Sequence, residues 1–289
     1  MADENSRARK LPVFATAYES LRLTTTNIGT VVRLSWLWLA AFVLATCALY
    51  WMLYPVSVAA GANSAIMEAV NLTTYVVSGL AGSGIAVPWH RVLLLGETGE
   101  AARREATAPR ILRYFTFGFL LILPMSLIGI MSTFIPAVVE AKTDTGFAWT
   151  DVPWPLVAVA YITLLLAYVR LGLKLPAIAL GRDDLAVADV WTKTRGNTWR
   201  LFVVVMLVSL PCFAALVLLI AVIEPALLID PANLDRWAYT RSNASLEVLS
   251  LTLGIFAITA LSLSFRHFFA AEQVRKNSQP PDENETLSS

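Results

Sequence analysis

Charge is scarce in this sequence, and histidine and cysteine are rarer still. Of 289 residues, 15% are Asp, Glu, Lys or Arg and 57% are hydrophobic. A soluble domain carries about 25% charged residues, so an ordinary water-soluble globule is excluded and an integral membrane protein is expected. The mean hydropathy of +0.63 agrees. Two cysteines, Cys47 and Cys212, each lie inside an apolar run. That excludes a disulfide framework, and they read as small buried apolar side chains. The only histidines, His90 and His267, lack metal-ligand spacing, and no H-E-x-x-H, G-x-S-x-G or P-loop pattern occurs. No metal, cofactor or enzymatic activity is therefore expected. Ionisable residues are missing from the middle of the apolar runs, where a proton relay or ion pathway would place them. A cleaved signal peptide is not expected either. MADENSRARK mixes both charge signs, and the first long apolar run begins only after Arg33.

What the chain has in quantity is length without charge. A helix needs about 20 mostly apolar residues to cross a bilayer core. Six segments qualify, at about 34–57, 66–89, 113–139, 152–175, 200–223 and 246–267. The expected fold is thus an all-α integral membrane protein with a six-helix membrane domain over 13–272. Residues 1–12 and 273–289 read as disordered ends. Nineteen of the 22 Lys and Arg residues fall on the side of the two termini; only Lys142, Arg236 and Arg241 fall on the other. The positive-inside rule then puts both termini in the cytoplasm. Glu68, Asp151 and Glu247 sit where the second, fourth and sixth runs begin, favourable positions for a helix dipole.

Two helix starts match. RYFTFGFLLILP (113–124) and RLFVVVMLVSLP (200–211) share Arg-x-Phe and a Leu-Pro pair at equal spacing. The even runs close alike, with Trp89-His90-Arg91, Tyr168-Val169-Arg170 and Phe265-Arg266-His267. This pattern predicts three helical hairpins as like-facing repeats. A cytoplasmic segment precedes each hairpin: 14–29, 96–108 and 183–196. These read as amphipathic helices lying at the interface. In the third, Asp183 or Asp184 is the expected N-cap, Leu185, Ala188 and Trp191 the apolar face, and Gly196 the stop. Trp89, Trp191 and Trp199 read as interfacial anchors.

Two groups of residues are candidate sites. If the helix ends converge, His90, Arg91, Arg113, Arg170, Lys174, Arg200, Arg266 and His267 form a basic rim for lipid phosphate or a partner protein. Pairing of His90 with Glu97 is the one acid–base arrangement available. Ser78, Gly79, Gly82 and Ser83 in SGLAGSGIA, with Pro124 and Pro211, either pack helices closely or line a cavity.

The runs LKLPAIALGRDDLAVADVWTKTRGNTWRLF and WHRVLLLGE resemble segments of a family of bacterial six-helix inner-membrane proteins. That family is similar to the membrane domain attached to some glycerophosphoryl diester phosphodiesterases. The resemblance covers roughly residues 88–270 and implies an inner-membrane bundle with amphipathic cytoplasmic helices. The chain lacks the catalytic domain, so no phosphodiesterase activity is implied. The expectation is a non-enzymatic membrane protein that binds lipid, anionic phospholipid among them, or a membrane protein partner at its basic face. No nucleic-acid partner is expected. The alternative is a small-solute permease, its cavity lined by the small-residue stretch and the two Pro-kinked helices.

Overall fold

An apolar run shielded from water satisfies its own amides best as a helix, and this chain does so along its length. The computed structural model describes residues 10–60, 65–142, 154–223 and 235–277, and all regular structure among them is helical. Six long helices are α2 (Ile28–Ala60), α3 (Ala65–Leu95), α5 (Ala108–Lys142), α6 (Trp154–Leu171), α9 (Thr198–Ile223) and α10 (Arg236–Asn277). Four short ones are α1 (Val13–Thr26), α4 (Gly99–Glu105), α7 (Lys174–Ala179) and α8 (Val187–Lys193). Of the ends expected to be disordered, 1–12 and 273–289, residues 1–9 and 278–289 lie outside the described residues, while 273–277 continue α10 as helix; Asp151 and the side chain of Glu68 also lie outside.

Five segments among the described residues are long and apolar enough to cross a membrane: Ile28–Pro55, Ala108–Gly129, Trp154–Ala179, Thr198–Ala215 and Arg236–Phe269. Large apolar side chains along them stand exposed, including Leu44, Met52, Leu120, Leu156 and Leu210. A surface of that kind is unfavourable in water and natural against acyl chains. The architecture is that of a multi-pass helical membrane protein. α3 is as long as its neighbours but dilutes its apolar residues with Thr73, Thr74, Ser78, Gly79, Gly82, Ser83 and Gly84.

The tightest packing gathers at the Arg-rich end of the bundle. Leu11, Ala17, Val169, Leu173, Leu201, Val204, Phe265 and Phe269 form one buried cluster that ties α1 to α6, α9 and α10. Ala86, Val87, Ile111, Tyr114, Leu175 and Ile178 join α3, α5 and α7. Val31, Leu34, Ile85, Trp89 and Ile255 join α2, α3 and α10.

The faces that two short helices bury are set by their neighbours, and in α8 the buried face differs from expectation. In α1 the buried face is Thr16, Ala17, Ser20 and Thr24, while Phe14 and Tyr18 point outward. Each hydroxyl is satisfied within the helix: Thr16 donates to Pro12 O at 2.8 Å, Ser20 to Thr16 O at 2.6 Å. Small self-satisfied side chains let α1 lie close on its neighbours. In α8 the buried residue is Val190, not Ala188 or Trp191. Its N-terminus is fixed by Asp189, whose carboxylate accepts the Ala186 N–H at 2.9 Å, so Asp183 and Asp184 are not its caps. They are displaced because α7 ends in a tight turn just before them. Gly181 takes φ +75°, and the Arg182 N–H reaches back to Ala177 O at 2.9 Å, the glycine-terminated helix end expected of a left-handed residue. Gly196 (φ +76°) turns the chain between α8 and α9, as its sequence position predicts.

Candidate functional site: a groove at the basic end

Most cations at this end are committed to the protein itself. Arg91 is 6% exposed; its Nε donates to Glu97 Oε2 at 2.8 Å, a second nitrogen bonds Glu97 Oε1, and NH1 reaches Ala179 O at 3.4 Å. One side chain thus ties the end of α3 to the following turn and to α7. Arg170 is buried too. Its guanidinium bonds Thr194 Oγ1 and Trp191 O, and lies 3.5 Å over the Trp191 ring. Lys174 donates to Leu185 O. Arg200 donates to Leu11 O at 2.9 Å while the Asn197 side chain accepts the Leu11 N–H at 3.0 Å. Asn197 and Arg200, from the threshold of α9, thereby clamp both backbone polar groups of Leu11 in the N-terminal segment. Of the expected basic rim, Arg91, Arg170, Lys174 and Arg200 are brought to one end but staple backbone there. Arg266 is exposed on α10, and His267 is half-buried, edge-on to Phe268.

His90 is fully buried. The Ser262 hydroxyl lies 2.7 Å from His90 Nδ1 and 3.0 Å from Ile258 O. On its other side, His90 Nε2 lies 3.0 Å from the Tyr114 hydroxyl. Both ring nitrogens are used. Glu97 belongs to Arg91, so His90 and Glu97 do not form an acid–base pair. Trp89 is 1% exposed and its indole N–H bonds Thr259 Oγ1 at 2.9 Å, so it is a core residue and not an interfacial anchor. Its polar edge found a hydroxyl inside the bundle, which removes the reason to seek the headgroups. Trp191 and Trp199 are exposed, Trp199 stacking on Phe202 at 4.9 Å.

The small-residue stretch of α3 serves three neighbours. Cβ atoms built on Gly79, Gly82 and Gly84 would meet Phe115 of α5 (3.0 Å), Leu251 of α10 (3.3 Å) and Trp38 of α2 (2.1 Å). Ser83 bonds back to Gly79 O, and Ser78 points to Glu247 Oε2 at 3.2 Å. These are packing seams. Pro124 and Pro211 lie on exposed faces of α5 and α9. Glu247 is not at a helix start: α10 begins at Arg236, its first turn capped by the Asp235 carboxylate on Ala238 N–H at 2.7 Å. Glu247 lies three turns further in, with Tyr50 Oη 3.4 Å away.

An open groove also lies at this end of the bundle. Between α5 and α7, Pro109, Leu112, Arg113, Thr116, Phe117, Leu120, Lys174, Ile178 and Asp183 line a groove of 520 Å³. Its polar groups stand together. Arg113 NH1 bonds both Asp183 oxygens at 2.9 Å, and both side chains are largely exposed. Thr116, Phe117 and Leu120 continue along α5, the last seven residues from Arg113, about 10 Å along the axis. The groove thus has a charged mouth at the basic end and an apolar wall running into the span. Arg113 and Lys174 were legible as candidates. Asp183, Thr116, Phe117 and Leu120 were not, since only the fold joins residues 70 apart in sequence.

Fold and site together define the class: a multi-pass helical membrane protein with a groove at its basic end that is charged at the mouth and apolar along one wall. No family model, curated protein or solved structure matches the chain.

Proposed function

We propose that this is a six-span protein of a bacterial inner membrane, with both termini in the cytoplasm, that binds a membrane phospholipid in the α5–α7 groove and performs no chemistry on it. In this reading α3 is the sixth span and the chain forms three like-facing hairpins, α2–α3, α5–α6 and α9–α10. The nineteen-to-three bias of Lys and Arg supports that orientation. The short helices α1, α4 and α8, each ahead of a hairpin, support the repeat. Exposed Phe14, Tyr18, Trp191 and Trp199 suit headgroup depth. Kinship with the membrane domain of phosphodiesterases is part of the proposal, carried by the quoted runs alone.

A single observation carries the lipid: Arg113 and Lys174 stand at the mouth of a groove whose inner wall is apolar. A guanidinium at interface depth holds phosphate, and Leu112, Phe117 and Leu120 suit an acyl chain. Native mass spectrometry from mild detergent should find one phospholipid retained per chain. Arg113→Gln, which removes a charge-assisted bond, should weaken retention about five- to tenfold. Thr116→Trp, which fills the groove from an exposed position, should do the same without altering charge. Unchanged retention in both variants sinks the lipid reading, and a co-purifying protein lost in both points instead to a partner on this face.

The permease alternative draws support from Glu247. A carboxylate three turns inside a span-length helix, facing Tyr50 and Ser78, is the kind of residue that marks a solute pathway. Reconstituted vesicles should then show a solute flux that Glu247→Gln reduces at least tenfold. Flux equal in both proteins, or none for any solute class, removes this alternative.

A further inference from the structure

Resting on that lipid reading, we infer that the groove selects an amine-bearing zwitterionic phospholipid, with its phosphate on Arg113 and its ammonium on Asp183. The mouth is not uniformly basic. Asp183 sits in direct contact with Arg113, and Asp184 is paired with Arg182 at 3.4 Å. Both Asp183 and Asp184 lie within electrostatic reach of Lys174. A purely anionic headgroup would bring its phosphate toward the cations and its remaining atoms toward two carboxylates.

The spare bonding capacity is also paired. The Arg113–Asp183 contact uses one guanidinium nitrogen, NH1, and leaves NH2 and Nε for a phosphate. Each Asp183 oxygen accepts one bond from that nitrogen and keeps lone pairs for another donor. The Asp183 side chain is 69% exposed, so that capacity is reachable from the membrane surface. A primary ammonium one ethyl linker from a phosphate supplies the donor at the right separation and with the right charge. Choline carries the same charge but no N–H. A glycerol headgroup has hydroxyl donors but no charge, and a neutral bond is about half as strong as a charge-assisted one.

The test is lipid competition on the purified full chain in mild detergent, with equal amounts of phosphatidylethanolamine, phosphatidylglycerol and phosphatidylcholine of matched acyl chains, read by native mass spectrometry. The expected result is about fivefold more ethanolamine lipid retained than either competitor, a modest ratio because the pair is exposed. Asp183→Asn should erase the preference and shift retention toward the glycerol lipid, while Asp183→Glu keeps it. Arg113→Gln should lower retention of all three together. Equal retention of the three lipids by the unaltered chain overturns the inference and leaves lipid binding standing, so it does not depend on how the variants fold. So does a preference that survives Asp183→Asn. Retention of none of the three overturns both.

Discussion

Arg91→Met is expected to lower the unfolding free energy by about 3–5 kcal/mol, the cost of breaking a buried ion pair from one side. Arg91 sits inside, with its side chain 8% exposed and that of its partner Glu97 21% exposed. The fork of two parallel bonds fixes the turn after α3, and the third donor supplies Ala179 O, which is fully buried at the end of α7. Methionine fills similar volume but leaves the carboxylate and that carbonyl without donors. Glu97→Gln should cost less, because the amide oxygen still accepts and Glu105 remains 3.8 Å from Arg91. Arg91→Lys should fall between, since a point charge cannot bridge both carboxylate oxygens. The double variant Arg91→Met with Glu97→Gln should recover part of the loss of Arg91→Met alone, a coupling that marks a direct pair. Reversible unfolding in mixed micelles measures all four. A loss below about 1 kcal/mol, the range of exposed pairs, would show that water reaches this pair and that α3, α4 and α7 are held by packing alone.

The helices were legible in the sequence because a bilayer-length apolar run has one good way to satisfy its amides. Which face of each helix is inside was much harder to read. In α1 the rule that apolar residues go inward is reversed: Phe14 and Tyr18 face out, and Thr16, Ser20 and Thr24 face in, each hydroxyl able to satisfy itself on the preceding turn. A pattern count finds the period of such a helix but cannot choose its buried side when the outer medium is apolar too. The depth of Glu247 was misread for a related reason. Polar RWAYTRSNAS reads as loop by composition, yet it continues α10 because Asp235 caps it and its polar residues are tolerable near a membrane surface. The arginines were legible as a set at one end, and not in their individual partners. Arg200 to Leu11, Arg91 to Ala179 and Arg113 to Asp183 are contacts across 189, 88 and 70 residues. A rim of like charge in the sequence is, in three dimensions, mostly a set of backbone staples with one exposed pair at a groove.

Gly84→Ala is expected to cost about 2–3 kcal/mol, although alanine is the better helix former by about 1 kcal/mol in a neutral setting. The added methyl would stand 2.1 Å from Trp38 Cε2 and 2.3 Å from Cδ2, inside the indole itself. Neither side yields easily. Trp38 packs on two of the buried clusters at the basic end, so moving it disturbs both. Pro88, four residues on, lies inside α3 and has no N–H for the Gly84 carbonyl. Its ring presses on that carbonyl instead, so this turn is already fixed by the proline. The helices α2 and α3 must then separate or Trp38 must leave its site. Gly254 of α10 supplies the opposite sign. Nothing lies within 4 Å of its built Cβ, so Gly254→Ala should stabilise by about 0.5–1 kcal/mol through helix propensity alone. Trimming the obstacle separates steric conflict from any general intolerance of α3 to substitution. In a Trp38→Ala background, which has already lost its own packing, the added methyl enters the vacated space, and Gly84→Ala should become neutral or favourable. Thermal melting of the four proteins in one detergent gives the cycle. If Gly84→Ala melts with the unaltered chain, or costs as much without Trp38 as with it, then the indole is not what the missing side chain makes room for.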